Sequence, residues 1–297
     1  MNRLVKLAII LICMMSVSIG YTKPERLKPY ILVSSEVGTI DGMKEKIRNR
    51  LIDGEFEIVG EYQPYDSALI LIVTDEQLKQ AAALSEMGGF GAALRVSLTQ
   101  VEDKVQLAYN NPFYVAQVYR MTTDLDEIAK KMETVLGSGE PFGSKKGVKV
   151  KRLRRYHYGG RLMPMPSFDD WITLMEYETY DEAIQAIEKG LAEGRGGTSK
   201  IYRVDIPGKE ETLIGVAIKE GKGSDLNVMG TTDTEELKQT PHLPYEVLIS
   251  GGTIYTLHGK FRIAQSFPSL GMGTFMKISG APKAIASALR QAAGGVE

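Results

Sequence analysis

The chain has 297 residues, with 36 Lys and Arg against 37 Asp and Glu, a formal net charge of -1. Hydrophobic residues make up 43% and charged residues 25%, values of a globular protein long enough for two sizeable cores. The near-zero balance gives no bulk attraction to nucleic acid, and a lone cysteine, Cys13, excludes an internal disulfide and a c-type haem attachment.

In chain order, MNRLVKLAIILICMMSVSIGYT reads as a secretory signal: Arg3 and Lys6 are followed by the apolar run Leu7 to Met15 and the small-x-small site Ser18-Ile19-Gly20. Cleavage there predicts an exported protein, periplasmic or secreted, with no thiol left. The alternatives are an uncleaved anchor, for which the run is short, and a lipoprotein on Cys13, which bulky Ile12 disfavours. YILVSSEV is a predicted strand. Ile40, Met43, Ile47 and Leu51 then recur at helical steps, and Gly54 is expected to end that helix in a left-handed cap. FEIVGEY and SALILIVT are strands, Asp75 caps a short helix, and LRVSLTQ with KVQLAY forms a hairpin. FYVAQVY (Phe113 to Tyr119) reads as a last strand or extended edge, and Asp124 to Leu136 as a closing helix.

The second half repeats this order. WITLMEY, the helix Tyr180 to Leu191, SKIYRVD, ETLIGVAI, a short helical piece at Thr234 to Gln239, YEVLISG and TIYTLHG follow one another. FRIAQSF then falls where FYVAQVY fell, 148 positions later, and Ala281 to Ala293 closes as a helix. A same-order match of about eight elements implies an internal duplication. The Gly54-Glu55-Phe56 join, LILIVTDEQL, the LRVSL hairpin and Asn111-Pro112 carry a resemblance to the domain-of-unknown-function 302 family. It covers 30–137 and, more loosely, 171–293, where Gly259-Lys260 stands in place of Asn-Pro. The resemblance implies an α+β fold similar to the TATA-binding-protein type, two tandem β-α-β4-α domains whose antiparallel sheets carry helices on one face. It also implies homodimers in single-domain members, hence an intramolecular pseudo-dimer here, and it brings no established reaction. The expected division is a signal at 1–22, a first domain at 23–137, a connector at 138–170 and a second domain at 171–297.

The connector begins with SGEPFGSKKG, which reads as a flexible lead-in. It continues as a basic segment containing Lys145, Lys146, Lys149, Lys151, Arg152, Arg154, Arg155 and Arg161, with no acid between Pro141 and Phe168. Clustered guanidinium groups suit phosphate or carboxylate partners, so Lys151, Arg152, Arg154, Arg155 and Arg161 are candidate anion-binding residues. An anionic small molecule, a lipid surface or an acidic protein is the expected partner. Nucleic acid is disfavoured by export, and the plain alternative is a solvated face.

A second reading is a redox or metal-handling protein. His157, with Met163 and Met165 nearby, offers soft ligands for copper, and His258 could be an axial haem ligand. The third histidine, His242, has no partner at metal-ligand spacing. A hydrolase or isomerase with an interdomain cleft is the third reading. There is no G-x-S-x-G elbow, phosphate loop or dinucleotide fingerprint, and SFPSLGMGTF reads as a rim loop. Trp171 is expected in the core or between the domains. A cofactor is not specified, and the reading as a whole is a non-enzymatic binding or interaction protein.

Overall fold

The computed structural model describes residues 25–156 and 165–296. The first half runs β1 (Arg26–Leu27), β2 (Tyr30–Val37), α1 (Ile40–Asp53), β3 (Glu57–Tyr65), β4 (Ala68–Thr74), α2 (Glu76–Ala83), β5 (Leu94–Val101), β6 (Lys104–Asn110), α3 (Pro112–Val118), α4 (Asp126–Leu136) and β7 (Glu140–Phe142). The connector supplies β8 (Val148–Lys149) and α5 (Val150–Leu153). The second half runs β9 (Ile172–Glu176), α6 (Tyr180–Ala192), β10 (Thr198–Asp205), β11 (Glu211–Ile218), α7 (Asp225–Thr232), β12 (Tyr245–Ser250), β13 (Thr253–Thr256), α8 (Gly259–Ser266), α9 (Met272–Lys277) and α10 (Ala281–Ala292). This is an α+β fold with antiparallel sheets. The strand order is β3-β4-β5-β6-β2-β7 in the first sheet and β10-β11-β12-β13-β9 in the second. Apart from the added β7, the two halves have one topology.

Local chemistry explains the helix ends. Thr39 caps α1 by accepting from the Gly42 amide at 3.2 Å, Asp75 caps α2 by accepting from Leu78 at 2.8 Å, and Thr179 with Glu182 forms a capping box on α6. The end of α1 differs from expectation. Gly54 has φ -82°, and the left-handed residue is Glu55. Glycine is needed at 54 for space, because a Cβ there would lie 2.2 Å from a methyl of Val135 in α4.

Four other expectations are corrected. FYVAQVY and FRIAQSF are helices, α3 and α8, not strands. Asn111 accepts from the Phe113 amide at 3.1 Å and Pro112 occupies the first helical position, where its missing N–H costs nothing. Every residue of α3 except Phe113 is buried, so the segment has no polar face to betray its period. The short helix of the second half is α7, capped by Ser224, not a turn at 234–239. SFPSLGMGTF is not a plain loop, since it leads into α9. The lead-in to the connector is not free chain, because β7 pairs with β2 through Tyr30–Phe142 and Leu32–Glu140.

Strand alternation sets the layers. In β5, Leu94, Val96 and Leu98 share the face toward α1, while Arg95, Ser97 and Thr99 point the other way. Those opposite faces meet. Arg95 reaches Tyr202 and Glu246, Thr99 bonds Thr240 at 2.8 Å, and Asn110 donates to the Pro241 carbonyl at 3.1 Å. The segment after α2, Gly88–Gly91, lies on β11 and β12, and its counterpart Thr240–His242 lies on β4, β5 and β6. Phe168 ties the halves from the side, packing on Phe90, Tyr119, Trp171 and Phe261. One apolar cluster consequently runs through both halves. Among the described residues no helix is long and apolar enough to cross a membrane.

Candidate functional site

The connector is anchored on both halves, α5 against α3 of the first and Tyr156 on α8 of the second. Leu153 is fully buried, and the Tyr156 hydroxyl donates to the Ala264 carbonyl of α8 at 2.9 Å. With Leu153 turned inward, Lys151 and Arg152 of α5 face outward, and Arg155 follows in the turn after it; all three are exposed. Arg154 behaves differently. Its guanidinium donates to the carbonyls of Met121 at 3.0 Å and Arg120 at 3.1 Å, satisfying a chain end beyond α3. Lys149 pairs with Glu25 at 3.2 Å. The side chains of Lys145, Lys146, Lys151, Arg152 and Arg155 make no hydrogen bond or ion pair among the described residues, and all are exposed. Arg161 lies outside the described residues.

Charge is segregated along the chain. Eight basic and no acidic residues fall between Pro141 and Phe168 of a chain with net charge -1, so all other residues together carry -9. Pairing of β1 with β8 brings the start of the described chain to this basic segment, with Arg26 opposite Lys149 and Leu27 opposite Val148.

Of the metal candidates, His157 and Met163 lie outside the described residues, and Met165 is half-buried. His258 does not end a strand, since β13 stops at Thr256. It caps α8, with Nδ1 accepting from the Lys260 amide at 3.1 Å. Burial, reinforced by the Lys260 charge, holds its pKa below the usual histidine value. One ring nitrogen is thus already engaged. Among the described residues no group of three or more His, Cys, Asp and Glu is placed to hold a metal ion.

Sequence reasoning missed a buried polar cluster in the seam between the sheets. Arg262 of α8 donates from Nε to Glu246 at 3.1 Å, from Nη1 to Ser266 at 2.7 Å, and from Nη2 to the His242 carbonyl. Its Nη1 also lies 3.0 Å from His242 Nδ1. An arginine only donates, so Nδ1 accepts and the ring proton sits on Nε2, which donates to the Tyr245 hydroxyl at 3.2 Å. Burial, then the charges of Arg262 and Arg95, keep His242 well below its usual pKa and therefore neutral. Arg95 contacts Glu246 from the other half. Arg95, Glu246 and Arg262 have side chains at most 4% exposed. The cluster is closed to solvent, so these groups fix architecture and have no route to a substrate. Its sequence signal was a single charge inside each of three apolar phrases: LRVSL, YEVLI and FRIAQ.

The first half also carries a cleft of about 380 Å³ between its sheet edge and α3 and α4, floored by Leu27, Ile31 and Phe113. Its rim charges are engaged. Lys130 donates to Glu127 at 2.8 Å, and Glu133 accepts from Ser138 at 2.6 Å.

Comparison with protein-family models, curated proteins and solved structures finds no match to this chain.

Proposed function

We propose that this chain is an exported, non-enzymatic binding protein, a tandem relative of the family it resembles, that docks on an anionic lipid surface through the cations of its connector. The observation that carries this reading is the set of five exposed cations within 145–155 that the fold leaves unpaired while it uses Lys149 and Arg154 internally. Lys151 and Arg152 stand on a short helix, Arg155 in the turn after it and Lys145 and Lys146 in the bend before β8, and none of them lines the cleft of the first half. An open array of long, mobile cations suits an extended anionic surface better than a small molecule, which needs an enclosing site. The β1–β8 pairing adds a second support, because Arg26 and Leu27, a few residues after the apolar leader in sequence, lie beside the same cations. Before processing, leader and basic patch would act on one membrane together.

Each cation near an anionic leaflet contributes about 1 kcal/mol, and salt screens it. The chain from Tyr21 onward should bind vesicles of phosphatidylglycerol in phosphatidylcholine at low salt and release them as salt rises. Lys151→Glu, Arg152→Glu and Arg155→Glu together should weaken binding at least about tenfold with an unchanged unfolding curve. Equal binding to pure phosphatidylcholine, or no effect of the triple reversal, would overturn the reading. So would binding confined to an acidic protein.

A further inference from the structure

The two halves are equivalent in topology but not in the residues they present to each other. Register fixes the equivalence. In the first half Ile72 of β4 pairs with Gly60 of β3 on one side and Arg95 of β5 on the other. In the second half Gly215 of β11 pairs with Tyr202 of β10 and Glu246 of β12. A bulge immediately precedes each row, between Ile58 and Gly60 and between Lys200 and Tyr202, and Arg95 and Glu246 are each the second residue of their strand. Gly60-Ile72-Arg95 and Tyr202-Gly215-Glu246 are thus the same row in two copies.

These rows face each other across the seam, and equivalent positions meet. A Cβ on Gly60 would lie 2.8 Å from both the Ile201 carbonyl oxygen and the Tyr202 Cβ, so the two strands approach as closely as a glycine permits. The Tyr202 ring then lies over Gly215, where a Cβ would be 1.9 Å from the ring. Arg95 donates to the Tyr202 hydroxyl at 3.3 Å and contacts Glu246. Glycine is therefore opposed by tyrosine, and arginine by glutamate. The anchor of Glu246 is one-sided as well: Arg262 of α8 holds it, and the repeated phrase places Tyr114 at that position in α3.

We propose that the seam is a heterologous interface in which each half selects the other and rejects a copy of itself. A pair of first halves would set Arg95 against Arg95 and leave the space over Gly60 empty. A pair of second halves would set Tyr202 against Tyr202 and Glu246 against Glu246. Buried like charges and a ring-on-ring overlap are the repulsive elements that specificity requires, beside the attractive ones. The partner of each half is thereby its own sequence neighbour. The basic connector and the cleft of the first half then occur once per pair, where a homodimer would present each twice.

Self-pairing can be imitated within the intact chain. Arg95→Glu creates the acid–acid contact of a second-half pair, and Gly60→Tyr creates its tyrosine overlap. Each should lower the thermal midpoint by more than about 10 °C or prevent folding. Arg95→Met removes the charge without creating repulsion and should lose less than half as much. Measured relative to the wild type at each pH, Arg95→Glu should recover stability as pH falls, because two carboxyls facing each other between Tyr202 and Arg262 can share a proton. An Arg95→Glu chain as stable as Arg95→Met, or a Gly60→Tyr chain at the wild-type midpoint, would overturn the proposal.

Discussion

Glu246→Ala is expected to lower the unfolding free energy by about 3–5 kcal/mol, the range for removing one partner of a buried ion pair. Glu246 is the single carboxylate between two buried guanidinium groups, Arg95 from β5 and Arg262 from α8. Its loss would leave both cations in a medium that cannot solvate them. The cost is not the strength of a bond but the desolvation of charges already committed to the interior. Arg262 also holds the His242 carbonyl and Ser266, so the disturbance reaches the 240–242 segment that lies on the first sheet. Glu246→Gln keeps the volume and one acceptor and should cost less. Denaturant midpoints of the two variants measure the difference, and a loss under about 1 kcal/mol for Glu246→Ala would place the cluster among ordinary surface pairs.

The second large effect is on pH dependence. Asp225 opens α7, is 1% exposed, and reaches across the seam to Tyr62 of β3, whose hydroxyl donates to Oδ2 at 2.5 Å. The Ile218 amide donates to the same oxygen at 3.0 Å, and Oδ1 has no hydrogen-bond partner among the described residues. A helix start and two donors favour the carboxylate, yet burial outweighs them and pushes the group up to about 7 from its ordinary 3.8. The folded chain therefore holds a proton that the unfolded chain releases. Stability from this group is fully present below about pH 4, declines by about 1.4 kcal/mol per pH unit as pH rises toward 7, and is flat above. Asp233, pushed up to about 6 by burial, acts with the same sign over a narrower window. His242, held neutral, acts oppositely and costs stability as pH falls below its ordinary 6.5. Subtraction isolates Asp225: the stability of the wild type minus that of Asp225→Asn should fall by up to about 4 kcal/mol between pH 4 and pH 7. A difference that does not vary with pH would show that Asp225 is charged in the fold.

Most elements were legible because their signals are local. Asp75 announces a helix start by a side-chain oxygen that accepts from an amide three residues on, and Thr39 and Thr179, which the sequence reading did not single out, do the same in the fold. The hairpins show apolar strands separated by turn residues. The reading failed where burial is uniform or propensity weak. Six of the seven residues of α3 are buried, so FYVAQVY offers aromatic and β-branched residues with no polar face, and period cannot separate helix from strand. The decisive sign was the Asn111-Pro112 pair, a cap and a first-turn proline, read only as part of a resemblance. In α7, DLNVMGTT is rich in poor helix formers and is held by contacts with α9 and β3 that no local pattern records. The connector cations were visible as composition, whereas the turning of Arg154 onto two carbonyls depended on where α3 ends.

The sequence by itself determined the repeated order of elements, the Asp75 cap, the alternation of the strands and the concentration of positive charge between the copies. Each of these rests on contacts within a few residues or on composition alone. Only the tertiary structure decided that the two sheets bury their polar-bearing faces against each other, that Arg95 meets Glu246, and that Gly60 meets Tyr202. Those pairs join residues more than a hundred positions apart, and their energies arise from desolvation and close approach, which exist only once the chain has folded.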